Sequence, residues 1–238
     1  MDRNGVDGAF ALGFGWADLA LCRMHNDYLI STQQASPGRF AAFAALQPLA
    51  GPPALAELSR VAAAGLRGVG ELMPHGQGYR LDEWEVIDPL AEAVAALGLP
   101  LLAHVSEPIG HVYAGKGDVS PAAAWSLAAR YPELRLIFAH WGGGLPFYEL
   151  MPEVGTAVSR AFYDSAATTF LYKFEVFAVV AQIVGAERIL YATDYPLIRM
   201  GPFLQRVRAL GLPEPLLRAI LGENATKLIG GPRPWPFQ

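Results

Sequence analysis

The stretch LRLIFAH (Leu134–His140) is an apolar run of strand length that ends on a histidine and is followed by WGGG. Six further runs of this length recur along the chain, separated by helix-like segments. They are apolar on both faces instead of alternating, which is typical of parallel strands covered by helices. The seven predicted strands are Ala9–Phe14, Phe40–Leu46, Gly68–Leu72, Leu99–Val105, Leu134–His140, Ala161–Ser165 and Arg188–Thr193. The sequence therefore predicts an α/β fold with a parallel sheet.

The segments between these strands carry helix start and stop signals. Asp88-Pro89 predicts the N-cap and first residue of a helix over Leu90–Leu97, and Ser120-Pro121 does the same for Ala122–Arg130. Seven βα units suit either a (β/α)8 TIM-type barrel that lacks its first strand or a doubly wound open sheet. No glycine-rich phosphate-binding loop follows the first strand, which disfavours a nucleotide-binding open sheet.

The composition indicates a large core and few charges. The chain has 238 residues, of which 53% are hydrophobic and 17% are charged, and its net charge is −4 at pH 7. It has no Lys/Arg run and no apolar run of membrane-spanning length, so we expect neither nucleic acid nor a membrane as a partner. The single cysteine, Cys22, fits a reducing cytoplasm. Without a linker or a signal-peptide pattern, we expect one cytoplasmic domain over residues 1–238.

Metal-ligand residue types stand at the ends of four predicted strands. These residues are Glu71, His104, His140 and Asp194. In a parallel barrel all carboxyl ends meet on one face, where two imidazoles and two carboxylates could hold a divalent ion with an open position for water. Each residue also has a structural interpretation, as a hydrogen-bonded histidine or a turn and capping carboxylate. Their recurrence at several strand ends favours the metal site.

Four motifs resemble those of a known family. LLAH (Leu101–His104), IFAHWGGG (Ile137–Gly144) and ILYATDYP (Ile189–Pro196) are similar to strands five, six and eight of amidohydrolase-related proteins. The closing Gly222–Leu228 is similar to the terminal signature of that family. The group includes relatives of aminocarboxymuconate semialdehyde decarboxylase and resorcylate decarboxylase. The resemblance covers nearly the whole chain in register, and it is specific to the family but not to one reaction.

The resemblance implies a barrel that binds one divalent ion, with zinc expected. It makes His104 a metal ligand and Asp194 both a ligand and a general base. His140 becomes a second ligand or a proton donor and transition-state stabiliser. Glu71 occupies a position at which some branches of the superfamily use a carboxylated lysine or a bridging carboxylate, so it is a weaker ligand candidate.

The chain departs from the family at its start. The family begins with a strand that ends His-x-His and supplies two metal ligands, and here only His25 stands near that region, after the first strand. We interpret this as a truncated start, with a natural variant as the alternative. An empty first position would separate Ala9–Phe14 from Arg188–Thr193 by about 9–10 Å. The exposed edges would favour a homo-oligomer, and weak metal binding with little turnover is expected.

The substrate is expected to be a small molecule, and four residues are candidates for contacting it. Tyr113 and Lys116 follow the fourth strand and could hold an anion, Arg199 could pair with a carboxylate, and Trp141 could line the pocket. A solvated loop, a surface charge and core packing are the respective alternatives. His75 is interpreted as a loop residue near Glu71.

Three functions remain open at this stage. The first is a hydrolase that uses metal-activated water on an amide, ester or lactone-like bond. The second is a decarboxylase, a carbon–carbon lyase, of an aromatic or unsaturated acid. The third is a catalytically impaired barrel that is kept for binding. Release of CO2 without consumption of water separates the first two, and metal analysis separates the third.

Overall fold

Seven parallel strands form one sheet in the computed structural model, which describes residues 1–230. Each strand pairs with its neighbours in chain order, and every pairing is parallel. The strands are β1 Ala9–Ala11, β2 Phe40–Ala44, β3 Gly68–Leu72, β4 Leu101–Ala103, β5 Leu136–Phe138, β6 Phe162–Asp164 and β7 Ile189–Leu190. The sheet curves into an open half-barrel, and the predicted α/β barrel-type fold is confirmed.

Helices connect the strands and cover the outside of the sheet. They are α1 Leu19–Ala35, α2 Pro52–Ala63, α3 Pro74–Gln77, α4 Trp84–Ala96, α5 Pro121–Arg130, α6 Leu145–Tyr148, α7 Pro152–Ala157, α8 Thr168–Leu171, α9 Val176–Val184, α10 Met200–Arg208, α11 Glu214–Arg218 and α12 Asn224–Leu228. Within residues 1–230, none of these helices combines the length and the apolar character needed to cross a bilayer.

The strands bury both faces, in two separate clusters. Leu101 and Ala103 of β4 pack outward into the large cluster under the helices, whereas Leu102 between them packs inward. The inner cluster also contains Phe43 of β2 and Ile137 of β5. This alternation follows from the period of two along a strand, and it explains why the sequence shows continuous apolar runs.

The terminal motif closes the amino-terminal end of the barrel. The Asn224 side chain donates hydrogen bonds to the carbonyls of Ala186 and Ile189, both at 2.8 Å. The guanidinium of Arg135 donates to the carbonyl of Leu228 at 2.6 Å, so α12 is held under β5. The motif therefore has a structural role in this chain, far along the strands from their carboxyl ends.

One predicted helix begins earlier than expected. The structure starts α4 at Trp84, so Pro89 lies inside the helix and Asp88 is not its N-cap. The Asp88 carboxylate instead accepts hydrogen bonds from Arg130 Nε at 2.7 Å and from the Tyr131 hydroxyl at 2.6 Å. Proline near the start of a helix removes a single backbone bond, which the packing of α4 tolerates. The predicted cap at Ser120 is confirmed, since its hydroxyl accepts from Ala123 N–H.

The sheet is open between its first and last strands. Within residues 1–230 β1 pairs with β2 alone and β7 with β6 alone, as the prediction of an empty barrel position requires. The width of the opening and the association of copies through it stay predictions. The single-domain prediction includes residues 231–238, which lie outside the described part of the chain.

Candidate metal centre

Glu71, His104 and His140 meet at the carboxyl ends of three neighbouring strands. Glu71 lies on β3, His104 directly follows β4, and His140 comes two residues after β5. One ligand atom from each residue lies within 4.8 Å of the others. Because these strands are adjacent and parallel, their ends bring together three residues that are more than thirty positions apart in sequence. The structure thus groups three of the four predicted ligands.

The Glu71 carboxylate lies between the two imidazoles. Its Oε1 atom is 2.9 Å from His104 Nδ1 and 3.5 Å from His140 Nε2. The ring centroids of the two histidines are 4.9 Å apart, and both histidines are buried. The residue that the sequence ranked lowest as a ligand therefore occupies the centre of the cluster.

The cluster perturbs its own protonation strongly. Burial disfavours the charged form of Glu71, but hydrogen bonds from His104 and His140 outweigh it and hold the pKa of this carboxyl well below its usual range. Burial likewise opposes protonation of His140, yet the hydrogen bond and the charge of Glu71 raise the pKa of His140 to about 10. The Glu71 carboxylate thus stays charged, and protonated His140 is its positively charged partner.

The donor set fits a divalent metal ion. Two imidazole nitrogens and one carboxylate oxygen form the combination that divalent transition metals accept, and three protein ligands leave a position for substrate or water. A nitrogen lone pair of His104 facing Glu71 Oε1 at 2.9 Å would be repulsive unless a proton or a cation lies between them. Glu71, His104 and His140 therefore form a possible site for one such ion.

His140 begins a left-handed turn. His140, Trp141 and the glycines 142–144 all have φ between 57° and 94°. A side chain at Gly143 would place its Cβ 2.4 Å from the Ser106 carbonyl oxygen, so this position requires glycine. The glycine run in the sequence marks this turn, which points His140 back toward Glu71 instead of continuing outward into a helix.

Asp164, which the sequence analysis missed, holds this turn in place. It ends β6 and is buried, and its Oδ1 atom accepts hydrogen bonds from His140 N–H and Ala166 N–H, both at 3.0 Å. Burial raises the pKa of Asp164 to about 6, although the nearby His140 works against that rise. The available signal was its place at the end of a predicted strand, the same signal that identified the other four residues.

A scan against protein families matches residues 2–231 to the family described as Amidohydrolase. The chain belongs to this amidohydrolase family. The resemblance inferred from the strand-end motifs is thereby confirmed.

Individual relatives of this chain are decarboxylases by name. The gamma-resorcylate decarboxylase of Polaromonas sp. (strain JS666) is 25% identical over 218 residues, which are 73% of this chain and 65% of that relative. The match thus spans slightly less than two thirds of the relative's length.

Two crystal structures of decarboxylases have the same fold. The 5-carboxyvanillate decarboxylase of Sphingomonas paucimobilis matches with a TM-score of 0.80 at 23% identity, covering 96% of this chain and 80% of that one. A dihydroxybenzoic acid decarboxylase from Polaromonas sp. JS666, with bound manganese and the inhibitor 2-nitroresorcinol, matches with a TM-score of 0.76 at 20% identity, covering 96% and 83%. At these identities the likeness establishes the fold of this chain.

Asp194 lies beside the cluster and not within its tightest group. It follows β7 by four residues, has φ 60° and is exposed. Partial desolvation raises the pKa of the Asp194 carboxyl, while the charges of His140 and His104 oppose the rise and that of Glu71 adds to it. These electrostatic interactions place Asp194 near all three residues, and its role as ligand or base stays a prediction.

Trp141 and Arg199, two of the residues expected to contact the substrate, differ in burial. Trp141 is fully buried, donates a hydrogen bond to Thr168 Oγ1 at 2.8 Å and packs against Phe177, so it forms part of the hydrophobic core. Arg199 is exposed at the start of α10. The structure therefore supports core packing, the alternative interpretation of Trp141. A substrate contact by Arg199 stays a prediction.

The loop after β4 carries the other two candidates. The Tyr113 hydroxyl lies 3.5 Å from Glu107 Oε2, and the Lys116 ammonium donates to carbonyls of its own loop. Among residues 1–230, Glu107 Oε1 is buried without a hydrogen-bond partner. His75, expected to be a loop residue, lies instead on the one-turn helix α3 and packs on His104 with 4.8 Å between ring centroids. Substrate contacts by Tyr113 and Lys116 stay predictions.

Proposed function

We propose that this chain is a metal-dependent decarboxylase of a small aromatic carboxylate. The observation that carries the proposal is the cluster of Glu71, His104 and His140 in a chain whose named relatives are decarboxylases. These names favour the lyase over the hydrolase that stood first in the sequence analysis. Nothing in the cluster itself selects hydrolysis.

Glu71, His104 and His140 would hold the divalent ion. When bound, such an ion acts as a Lewis acid that polarises and orients a substrate oxygen. We propose Mn²⁺ as the first ion to test, ahead of the zinc expected from the sequence, because a relative of the same fold carries manganese. Glu71 has a positively charged partner both without and with the metal. Without the metal this partner is protonated His140, and with the metal it would be the ion itself.

Decarboxylation requires a proton at the carbon that loses the carboxylate. With both histidines engaged by the metal, we assign this proton to Asp194, which lies beside the cluster and whose pKa is raised by partial burial. The proton moves to the ring carbon, the bond to the carboxylate breaks, and its electron pair restores the aromatic ring as CO2 leaves. Asp194 is exposed, so it can take up the next proton from solvent.

The experiment measures CO2 from the purified chain with Mn²⁺ or Zn²⁺ and a panel of aromatic carboxylates, including 2,6-dihydroxybenzoate and 5-carboxyvanillate. We expect CO2 release that Glu71→Gln and Asp194→Asn abolish and that the exposed control Glu85→Gln retains. Turnover of an ester, amide or lactone panel without CO2 would establish the hydrolase instead. Absence of both activities and of metal binding would indicate the impaired barrel.

A further inference from the structure

The loop after β4 fixes which nitrogen of His104 faces the metal cluster. His104 Nε2 lies 3.1 Å from the carbonyl oxygen of Lys116 and 3.0 Å from Ser106 Oγ. A carbonyl oxygen can only accept a hydrogen bond, so the contact requires the hydrogen on Nε2. Nδ1 is then the nitrogen directed at Glu71, at 2.9 Å. The carbonyl of Lys116 therefore fixes the ring orientation of a proposed ligand and keeps a hydrogen on its Nε2 atom.

The Lys116 side chain organises the loop that presents this carbonyl. Its ammonium donates to the carbonyls of Ile109 at 3.2 Å, Gly110 at 3.5 Å and His111 at 3.2 Å. An ammonium has three donors, and here each has a backbone acceptor. The backbone N–H of Lys116 donates to the Tyr113 carbonyl at 3.2 Å. One residue thus binds four carbonyls of the segment that precedes it.

This loop has few other means of keeping its shape. Its ends are joined by the hydrogen bond from Ser106 N–H to the Val119 carbonyl at 2.8 Å. Between them, Ile109 and Val112 are 82% and 91% exposed, so the tip gains little from packing. Where burial is low, backbone hydrogen bonds to a side chain at the centre of a loop decide its conformation.

We propose that Lys116 is a positioning residue for the metal site, acting through its ammonium on the loop and through its carbonyl on His104. The inference rests on the proposed metal site but not on decarboxylation. It differs from the anion-binding role expected from the sequence, because an ammonium that holds three carbonyls has no donor left for a substrate carboxylate. Interactions that orient a metal-ligating histidine typically contribute about 10–100-fold to metal affinity.

The test compares Lys116→Met, which keeps the aliphatic stem, with Lys116→Arg, which keeps a charged donor. Lys173→Met is the matched control, because Lys173 is an exposed lysine whose loss changes the net charge equally. The first readout is the imidazole ¹⁵N spectrum of the metal-free chain, with His104 assigned from His104→Gln. The wild type and Lys116→Arg should show a hydrogen-bonded His104 Nε2–H that exchanges slowly with solvent, and in Lys116→Met this hydrogen should exchange rapidly.

The second readout is calorimetric titration with Mn²⁺. Lys116→Met should bind about 10–100-fold more weakly than the wild type, and Lys173→Met should bind equally well. Equal losses in both methionine variants, or an unchanged exchange rate of the His104 Nε2–H in Lys116→Met, would overturn the proposal. A raised KM with unchanged metal affinity would instead make Lys116 a substrate contact. Should Lys116→Met fail to fold, as judged by circular dichroism, Lys116→Gln supplies the same comparison.

A failure of the proposed function gives a different pattern. If the wild type releases no CO2 but binds Mn²⁺, decarboxylation is excluded and the Lys116 comparison still stands. If the wild type binds no metal, the exchange rate of the His104 Nε2–H in the metal-free chain still decides whether the loop orients His104.

Discussion

Replacing Glu71 with glutamine tests the electrostatics of the cluster most directly. The variant keeps the shape of the side chain and removes the charge that stabilises the His140 imidazolium. In the wild type, burial opposes that protonation, and Glu71 with Asp164 and Asp194 raises the pKa of His140 from 6.5 to about 10. Without Glu71 the burial remains, so we expect the pKa of His140 to fall to about 7 or lower.

The magnitude follows from the size of this difference. About 3.5 pH units correspond to roughly 5 kcal/mol of interaction that favours the protonated imidazole, as an upper bound. Because the folded-state pKa lies above the unfolded value, this stabilisation is present below pH 6.5 and is lost as the pH rises through about 10. The metal-free wild type should therefore lose stability over this window, whereas Glu71→Gln should lose little there.

The assay is a proton NMR titration of the His140 ring in the metal-free chain, together with urea denaturation at neutral and alkaline pH. Glu107→Gln is the matched control, because it removes one carboxylate from the loop after β4, where Glu107 faces Tyr113 and lies outside the cluster of Glu71, His104 and His140. A His140 pKa that stays above about 9 in Glu71→Gln would refute the reasoning, since another group would then hold the proton.

Three other outcomes are expected. Asp164→Ala should lower the free energy of unfolding by about 2–4 kcal/mol in urea denaturation, because two buried N–H groups, including that of His140, lose a charged acceptor. Asp164→Asn keeps an acceptor oxygen and should retain most of the wild-type stability. For Glu57, burial raises the pKa, but hydrogen bonds from Arg60 and Asn26 outweigh burial and lower it. Glu57→Gln should therefore lower the free energy of unfolding fully above pH 4.5, and this loss should fade as the pH falls. Denaturation at several pH values measures it. Mn²⁺ at 100 times its Kd should stabilise the chain by about 2.7 kcal/mol in thermal melts, and a similar gain in Glu71→Gln would contradict the assigned site.

The residues at strand ends could be predicted because periodicity is a local property. Apolar runs give the strands, and the parallel arrangement brings their carboxyl ends to one face. Strand bounds were too long at several ends; β4, for instance, is Leu101–Ala103 instead of Leu99–Val105. The polar residues at the end of these apolar runs, or just after it, form the site. The early start of α4 was missed because Asp88 has a tertiary partner, Arg130, which no local pattern reveals.

The sequence did not predict which of the site residues lies at the centre of the cluster. Glu71 was ranked below Asp194, yet Glu71 lies between the two histidines and Asp194 lies beside them. The difference arises from backbone geometry, since three residues of irregular chain separate Asp194 from the end of β7, whereas Glu71 still lies on its strand. A residue on a strand has its position fixed by the sheet, and one in a loop does not.

The sequence by itself determined seven parallel strands separated by helices, the family, and a face on which metal-ligand side chains collect. Only the tertiary structure decided which of them touch, that Asp164 holds the left-handed turn at His140, and that the Lys116 carbonyl orients His104. The physical reason is that apolar periodicity is written along the chain. Distances of about 3 Å between side chains depend instead on sheet curvature and on positive-φ turns that only contacts distant in sequence stabilise.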